Sequence, residues 1–99
     1  MRESISVSFP TEPKRPTIIV SGRNAWALLS LDKAGAKGLT PLTTPAPRWS
    51  AYVHNLRRMG FNIETISERH GPPFPGTHAR YVLREIITVR ALAPEGGGA

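Results

Sequence analysis

The sequence predicts a mixed α+β fold, with two helices followed by a β-hairpin, on two observations. Trp49, Tyr52, Val53 and Leu56 recur at i, i+3, i+4 and i+7, the stripe of an amphipathic helix. Two runs of alternating polarity, beginning at Phe61 and at Thr77, flank a segment rich in glycine and proline, which is the pattern of an antiparallel hairpin. The 99 residues hold one domain at most.

Taken in order, Ile5, Val7 and Phe9 alternate with serines, and Pro10, Pro13 and Pro16 then stop any continuation. Residues 1–16 are therefore expected to form a flexible arm or a short edge strand, ahead of a domain over residues 17–92. The β-branched run Thr17-Ile18-Ile19-Val20 reads as a short strand, after which Ser21 or Asn24 offers a helix cap. A first helix over residues 23–34 follows from Ala25-Trp26-Ala27-Leu28-Leu29-Ser30-Leu31, with Trp26, Leu28 or Leu31, and Leu29 on its apolar side. Gly35 and Gly38 end it. Thr40-Pro41 is a cap followed by a first-turn proline, but Pro45 and Pro47 leave room for one turn only, over residues 41–44.

The clearest helix runs from Pro47, placed in its first turn, to Met59, with Gly60 as its stop. Its polar face carries Ser50, Ala51, His54, Arg57 and Arg58, flanked by Arg48 and Asn55. The strand after Gly60 places Phe61, Ile63 and Thr65 on one side. Residues 67–76 form the hairpin loop. The returning strand turns Ala79, Tyr81 and Leu83 inward and His78, Arg80 and Arg84 outward. Residues 85–92 suit either a further strand or a short helix. Residues 93–99, with Gly96-Gly97-Gly98, are expected to be a disordered tail.

Charge gives the first functional clue. The chain has 13 Lys and Arg against 7 Asp and Glu, a net +6. Nine of the bases and three of the acids lie between Gly22 and Arg84, so the whole excess belongs to the folded part. That distribution favours a polyanionic partner over a merely solvated basic surface. With no cysteine, disulfide scaffolds, thiolate nucleophiles and Cys-ligated metal sites are excluded. The chain shows neither a membrane-spanning run nor a secretory leader, which predicts a cytoplasmic protein; a nucleic-acid partner would associate it with the nucleoid.

A basic amphipathic helix followed directly by a hairpin is the order of a winged helix-turn-helix, here with a short or degenerate second helix. The run from Arg48 to Thr65, with Leu56-Arg57-Arg58-Met59-Gly60 and then Asn62-Ile63-Glu64-Thr65, resembles the small winged helix-turn-helix domains of bacteria and their prophages. His78-Ala79-Arg80-Tyr81-Val82-Leu83 is similar to the second wing strand of that family, and the resemblance covers roughly residues 22–84. It implies double-stranded DNA binding, with Ser50, Ala51 and His54 on the recognition face. The protein is then expected to be a small transcriptional or phage-type regulator. Residues 48–58 would lie in the major groove, and residues 67–76 would clamp the duplex.

The expected DNA contacts are Arg48, Ser50, Ala51, His54, Arg57, Arg58, Arg69, His70 and Arg80. If Arg48, Arg57, Arg58, Arg69 and Arg80 all meet phosphates, log K falls with log salt at a slope of about −4 to −5. Arg57 and Arg58 also suit a helix C-terminus, whose dipole favours cations. Trp49 and Tyr52, at helical spacing, belong to the core rather than to a stacking platform for single strands. Phe74, among prolines at the hairpin tip, and the run from Ile86 to Val89 supply the surface of a rival, a winged-helix protein–protein adaptor; RNA binding shares the charge argument. His54, His70 and His78 have no carboxylate or cysteine at ligand spacing, so no metal is expected. Neither a phosphate-binding loop nor a nucleophile–base pair stands out, and the sequence predicts neither an enzyme nor a bound cofactor.

Overall fold

The computed structural model describes residues 4–72 and 74–92. The elements are β1 (Ser4–Ser8), β2 (Ile18–Ser21), α1 (Gly22–Ala34), a 3-10 turn (Gly35–Lys37), α2 (Trp49–Met59), β3 (Ile63–His70), β4 (Gly76–Leu83) and β5 (Thr88–Ala91). They form a three-stranded antiparallel sheet in the order β2-β1-β5 and a separate two-stranded hairpin, β3-β4. The expected tail at residues 93–99 lies outside the described residues.

The first strand corrects the sequence reading. From Ser4 onward the segment is neither an arm nor an edge, because β1 is the central strand of its sheet. Ile5 and Val7, with Phe9 just beyond the strand, are buried in the same core as Leu28, Leu31, Val53 and Leu56. The period of two was legible, but its partners β2 and β5 were not assigned to it. Arg15 fastens the connection from β1 to β2. It donates to Glu12 (2.8 Å), to Glu85 (2.6 Å) and to the Gly60 carbonyl (2.5 Å), and its guanidinium lies 3.5 Å from the centre of the Phe9 ring.

The first helix forms where expected and ends at Gly35. Its buried residues are Ala25, Ala27, Leu28 and Leu31, while Leu29 faces solvent and Trp26 packs at the core margin. Ser21 precedes it without a side-chain cap, since its hydroxyl hydrogen-bonds with Ser4 instead (2.9 Å). Between the helices, residues 41–44 make the single expected turn, closed by Thr44 N–H donating to the Thr40 carbonyl (2.9 Å). Leu39 exchanges two backbone hydrogen bonds with Tyr81 (3.0 and 2.8 Å), which draws the hairpin against this connection.

The recognition-type helix begins later than the sequence reading has it. Pro47 and Arg48 precede it, and Arg48 is the one non-glycine residue with positive φ among the described residues (φ 67°, ψ 34°). Trp49, Val53 and Leu56 are buried and Tyr52 is half-buried, as the stripe predicts. Trp49 packs at a tilt against Trp26 (5.4 Å) and stacks with Tyr81 (6.3 Å), and its indole N–H donates to the Thr44 carbonyl (2.7 Å). The helix closes at Gly60 (φ 110°), where the Gly60 and Phe61 amides donate back to Arg57 and Leu56. That left-handed geometry suits glycine, which lacks the Cβ that opposes it.

The hairpin is longer and its loop tighter than expected. Strands run to His70 and from Gly76, so Arg69 and His70 belong to β3 rather than to a loop over residues 67–76. Ile63 and Thr65 share one face of β3, as the alternation predicts, with Ile63 buried and Thr65 exposed. The ambiguous segment after residue 85 contains β5, paired with β1. In it Ile87 and Val89 pack on the core, leaving Ile86 as the exposed apolar side chain of that run (64% exposed).

Candidate nucleic-acid interface

At about 100° per residue, burying Trp49, Val53 and Leu56 turns Ala51, His54 and Arg58 directly away from the core. Ser50 and Arg57 fall on the flank toward the hairpin, and Tyr52 and Asn55 on the flank toward α1. Ser50, His54, Arg57 and Arg58 are exposed, and Ala51 is half-exposed. Arg48, also exposed, stands at the entrance of the helix.

Arg57 is held by its own chain. Its Nε and Nη2 donate to the Ile63 carbonyl (3.1 and 2.7 Å), and Nη2 donates to Thr65 Oγ1 (2.7 Å). It therefore braces α2 against β3. That contact also orients the hairpin, because side chains alternate along a strand. The face of Ile63, Thr65, Ser67 and Arg69, with Thr77, Ala79, Tyr81 and Leu83 opposite, is the α2 side. The face of Ile66, Glu68, His70, His78, Arg80 and Val82 is the reverse side, covered in part by Gly38 and Lys37. A Cβ at Gly38 would stand 2.6 Å from the Tyr81 carbonyl oxygen and 2.7 Å from Val82, so only glycine lets the 3-10 turn lie this close.

The hairpin's two faces separate the expected contacts. Arg69 is exposed on the α2 side. His70 and Arg80 are on the reverse side and are engaged. Arg80 donates to Glu68 (2.5 Å) and to the Lys37 carbonyl (3.0 Å). The Arg80 hydrogen bond holds the Glu68 carboxyl below the usual glutamate range, against a smaller opposing effect of desolvation. His78 Nε2 donates to the other Glu68 oxygen (3.2 Å), and its Nδ1 meets His70 Nδ1 (2.9 Å), the two rings stacked at 5.1 Å. The sequence reading paired no carboxylate with these histidines; the register does so by setting Glu68 opposite His78. The two nitrogens of His78 point to different partners, and among the described residues no group of three or more acids and histidines is arranged to hold a metal ion.

Ion pairing among the described residues engages the acids away from the outward face of α2, while Lys14, Lys33, Lys37 and Arg90 stay unpaired elsewhere. Among the described residues, Glu12 and Glu85 pair with Arg15, Glu68 with Arg80 and Glu64 with Arg84. Asp32 is the remaining acid and sits near the end of α1. Among the described residues no carboxylate pairs with Arg48, Arg57, Arg58 or Arg69, so the α2 side of the hairpin and the outward face of α2 carry unneutralised positive charge. The residues missed by sequence reasoning are Arg23, Asn24 and Asn55, which share the α1–α2 margin: Arg23 donates to the Tyr52 hydroxyl (3.3 Å) and Asn55 to Asn24 (3.3 Å).

Two helices joined through a single turn, with a hairpin set against the second, define a winged helix architecture, a class of domain that in general binds DNA. The chain belongs to the winged helix domain family, whose match spans residues 17–93; β1 precedes the matched residues. No curated protein and no solved structure matches the chain. No helix among the described residues is long and apolar enough to cross a membrane.

Proposed function

We propose that this winged helix domain is a small bacterial or phage-type transcriptional regulator that binds double-stranded DNA at the nucleoid. The outward face of α2, with Ser50, Ala51 and His54, enters the major groove. Arg48 at the helix entrance and Arg69 on the wing hold the flanking backbone. Arg57 and Arg80 act as positioning residues, since their donors serve Ile63, Thr65, Glu68 and Lys37. His70 stands behind the wing and supports His78. On this reading the protein carries out no chemistry and needs no cofactor.

The observation that carries the reading is the sorting of charge: among the described residues acids are paired away from the outward face of α2, and the cations on that face have no carboxylate partner. Phosphate neutralisation is the use such a surface fits best. The test is equilibrium binding of the protein to labelled duplex DNA, single-stranded DNA and RNA hairpins at low salt. Preference for the duplex, weakened about tenfold by Arg48→Ala and several-fold by His54→Ala, is expected. Absence of duplex binding overturns the reading.

A second reading has one observation behind it. Phe74 is 81% exposed at the hairpin tip, an unusual place for a phenyl ring. If the wing serves a protein partner instead, Phe74→Ala abolishes partner recovery from the host while Arg69→Ala leaves it intact. The DNA reading expects duplex affinity to ignore Phe74.

A further inference from the structure

On the side of α2 away from the wing, a groove of about 440 Å³ is lined by Asn24, Asn55, Arg58 and Met59. Tyr52, Asn55 and Arg58 follow one another at i, i+3 and i+6, a ridge along α2 that faces the first turn of α1. We propose that this groove is a second backbone clamp, taking phosphates of the DNA strand opposite the one met by the wing. This rests on the DNA-binding reading and adds to it residues that neither the recognition helix nor the wing explains.

Donor chemistry supports the choice of ligand. The two asparagines share one hydrogen bond, from Asn55 Nδ2 to Asn24 Oδ1 at 3.3 Å. Whichever way the two amides are turned, that bond uses one N–H and leaves the other amide N–H groups available. Arg58 adds a guanidinium with no hydrogen-bond or ion-pair partner among the described residues. A surplus of donors beside an unneutralised cation matches a phosphate, which offers only acceptors.

Arg23 extends the same row. Its guanidinium carbon lies 4.6 Å from the centre of Trp26 and 5.7 Å from that of Tyr52, and Nε donates to the Tyr52 hydroxyl. Held beside two rings with Nε engaged, it keeps both terminal nitrogens for a ligand and loses little freedom on binding. No carboxylate lines the groove, because the acids are paired elsewhere and Asp32 is near the other end of α1.

The turn at residues 41–44 gives the clamp a place in the docking geometry. With its second helix reduced to one turn, the domain lacks the element that crosses the backbone beside the recognition helix. The α1–α2 margin lies beside α2 on the flank away from the wing and can take that part. Two clamps then straddle α2, Arg69 on one side and the Asn24–Asn55–Arg58 groove on the other.

The test uses the full chain and a labelled random duplex at low salt, with three surface variants that each first show a wild-type melting curve. Arg58→Ala is compared with Arg90→Ala, which removes an equal charge from exposed β5, on the other sheet. The double variant Asn24→Ala/Asn55→Ala removes donors without changing charge. We expect about tenfold weaker binding for Arg58→Ala, less than twofold for Arg90→Ala, and about fivefold for the asparagine pair, alike on unrelated duplex sequences. If the double variant melts early, Asn24→Ser, which shortens the donor at the exposed margin, replaces it, with about threefold expected. Equal losses for Arg58→Ala and Arg90→Ala, or no loss on replacing the asparagines, overturn the clamp while leaving the DNA reading intact. A wild-type protein that binds no duplex overturns both.

Discussion

Arg15 makes four hydrogen bonds, to Glu12, to both oxygens of Glu85 and to the Gly60 carbonyl, and covers the Phe9 ring. Arg58 stands one residue before the end of α2 and has no such partner among the described residues. The first ties segments 70 residues apart in sequence and raises its own pKa through the Glu85 hydrogen bond; the second spends nothing on the fold. The same division runs through the hairpin, where Arg80 on the reverse side is engaged by Glu68 and Lys37 and Arg69 on the α2 side is open. Arginines on this protein therefore fall into two populations, and only their partners, not their position in a basic sequence, tell which is which.

That division makes stability and binding separable. The largest effect belongs to the core beneath both: Trp49→Ala should cost about 3–5 kcal/mol, read by denaturant melting, because a buried indole and its hydrogen bond to Thr44 are both lost. Melting like wild type would mean that Trp49 is not a core residue. Arg15→Ala should cost about 1–2 kcal/mol, discounted for partial exposure, while a saturating duplex titration returns an affinity within about twofold of wild type. A variant that melts normally yet loses DNA would erase the distinction between the two populations.

Arg48→Gly sharpens the comparison further, since it should move the two properties in opposite directions. The left-handed backbone at Arg48 is unfavourable for any residue with a Cβ, so glycine should raise stability by about 0.5–1 kcal/mol while duplex binding falls. Loss of both would show that the arginine side chain holds the turn into α2. The hairpin gives a gentler contrast. Arg69→Ala should weaken every duplex several-fold and leave the melting curve unchanged, whereas Arg80→Ala should loosen the wing and reduce affinity only indirectly, as hydrogen exchange of β3 and β4 amides would record.

The smallest expected effect is on pH. Glu68 has its carboxyl pKa lowered by Arg80, so the folded state holds this proton less tightly than the unfolded chain does. Its stabilising contribution is complete above the ordinary glutamate range, declines as the solution is acidified, and is gone below the lowered value. A carboxyl carbon titration by NMR that finds Glu68 at or above the ordinary range would contradict the pairing.

What was legible in the sequence follows from how local each signal is. The stripe of Trp49, Val53 and Leu56 fixes the inward side of α2, and Pro41, Pro45 and Pro47 confine the preceding turn, because both effects act within a few residues. The central position of β1 was not legible, since a period of two says that Ile5 and Val7 are buried but not that Val20 and Val89 lie beside them. The site was legible as a helix face and not as a set of free cations. Arg57 and Arg80 look like Arg58 and Arg69 until the hairpin register brings Thr65 and Glu68 to them.

The central claim is that the unpaired arginines of the α2 side meet DNA phosphates while the paired ones do not. Salt dependence of duplex affinity measures this most directly, because each neutralised phosphate adds about −0.9 to the slope of log K against log salt. With Arg57 and Arg80 committed within the fold and Arg23, Arg48, Arg58 and Arg69 available, the slope should lie between about −3 and −4, shallower than the −4 to −5 expected if the five arginines first read from the sequence all took part. A slope near zero, or no binding at low salt, would contradict the account.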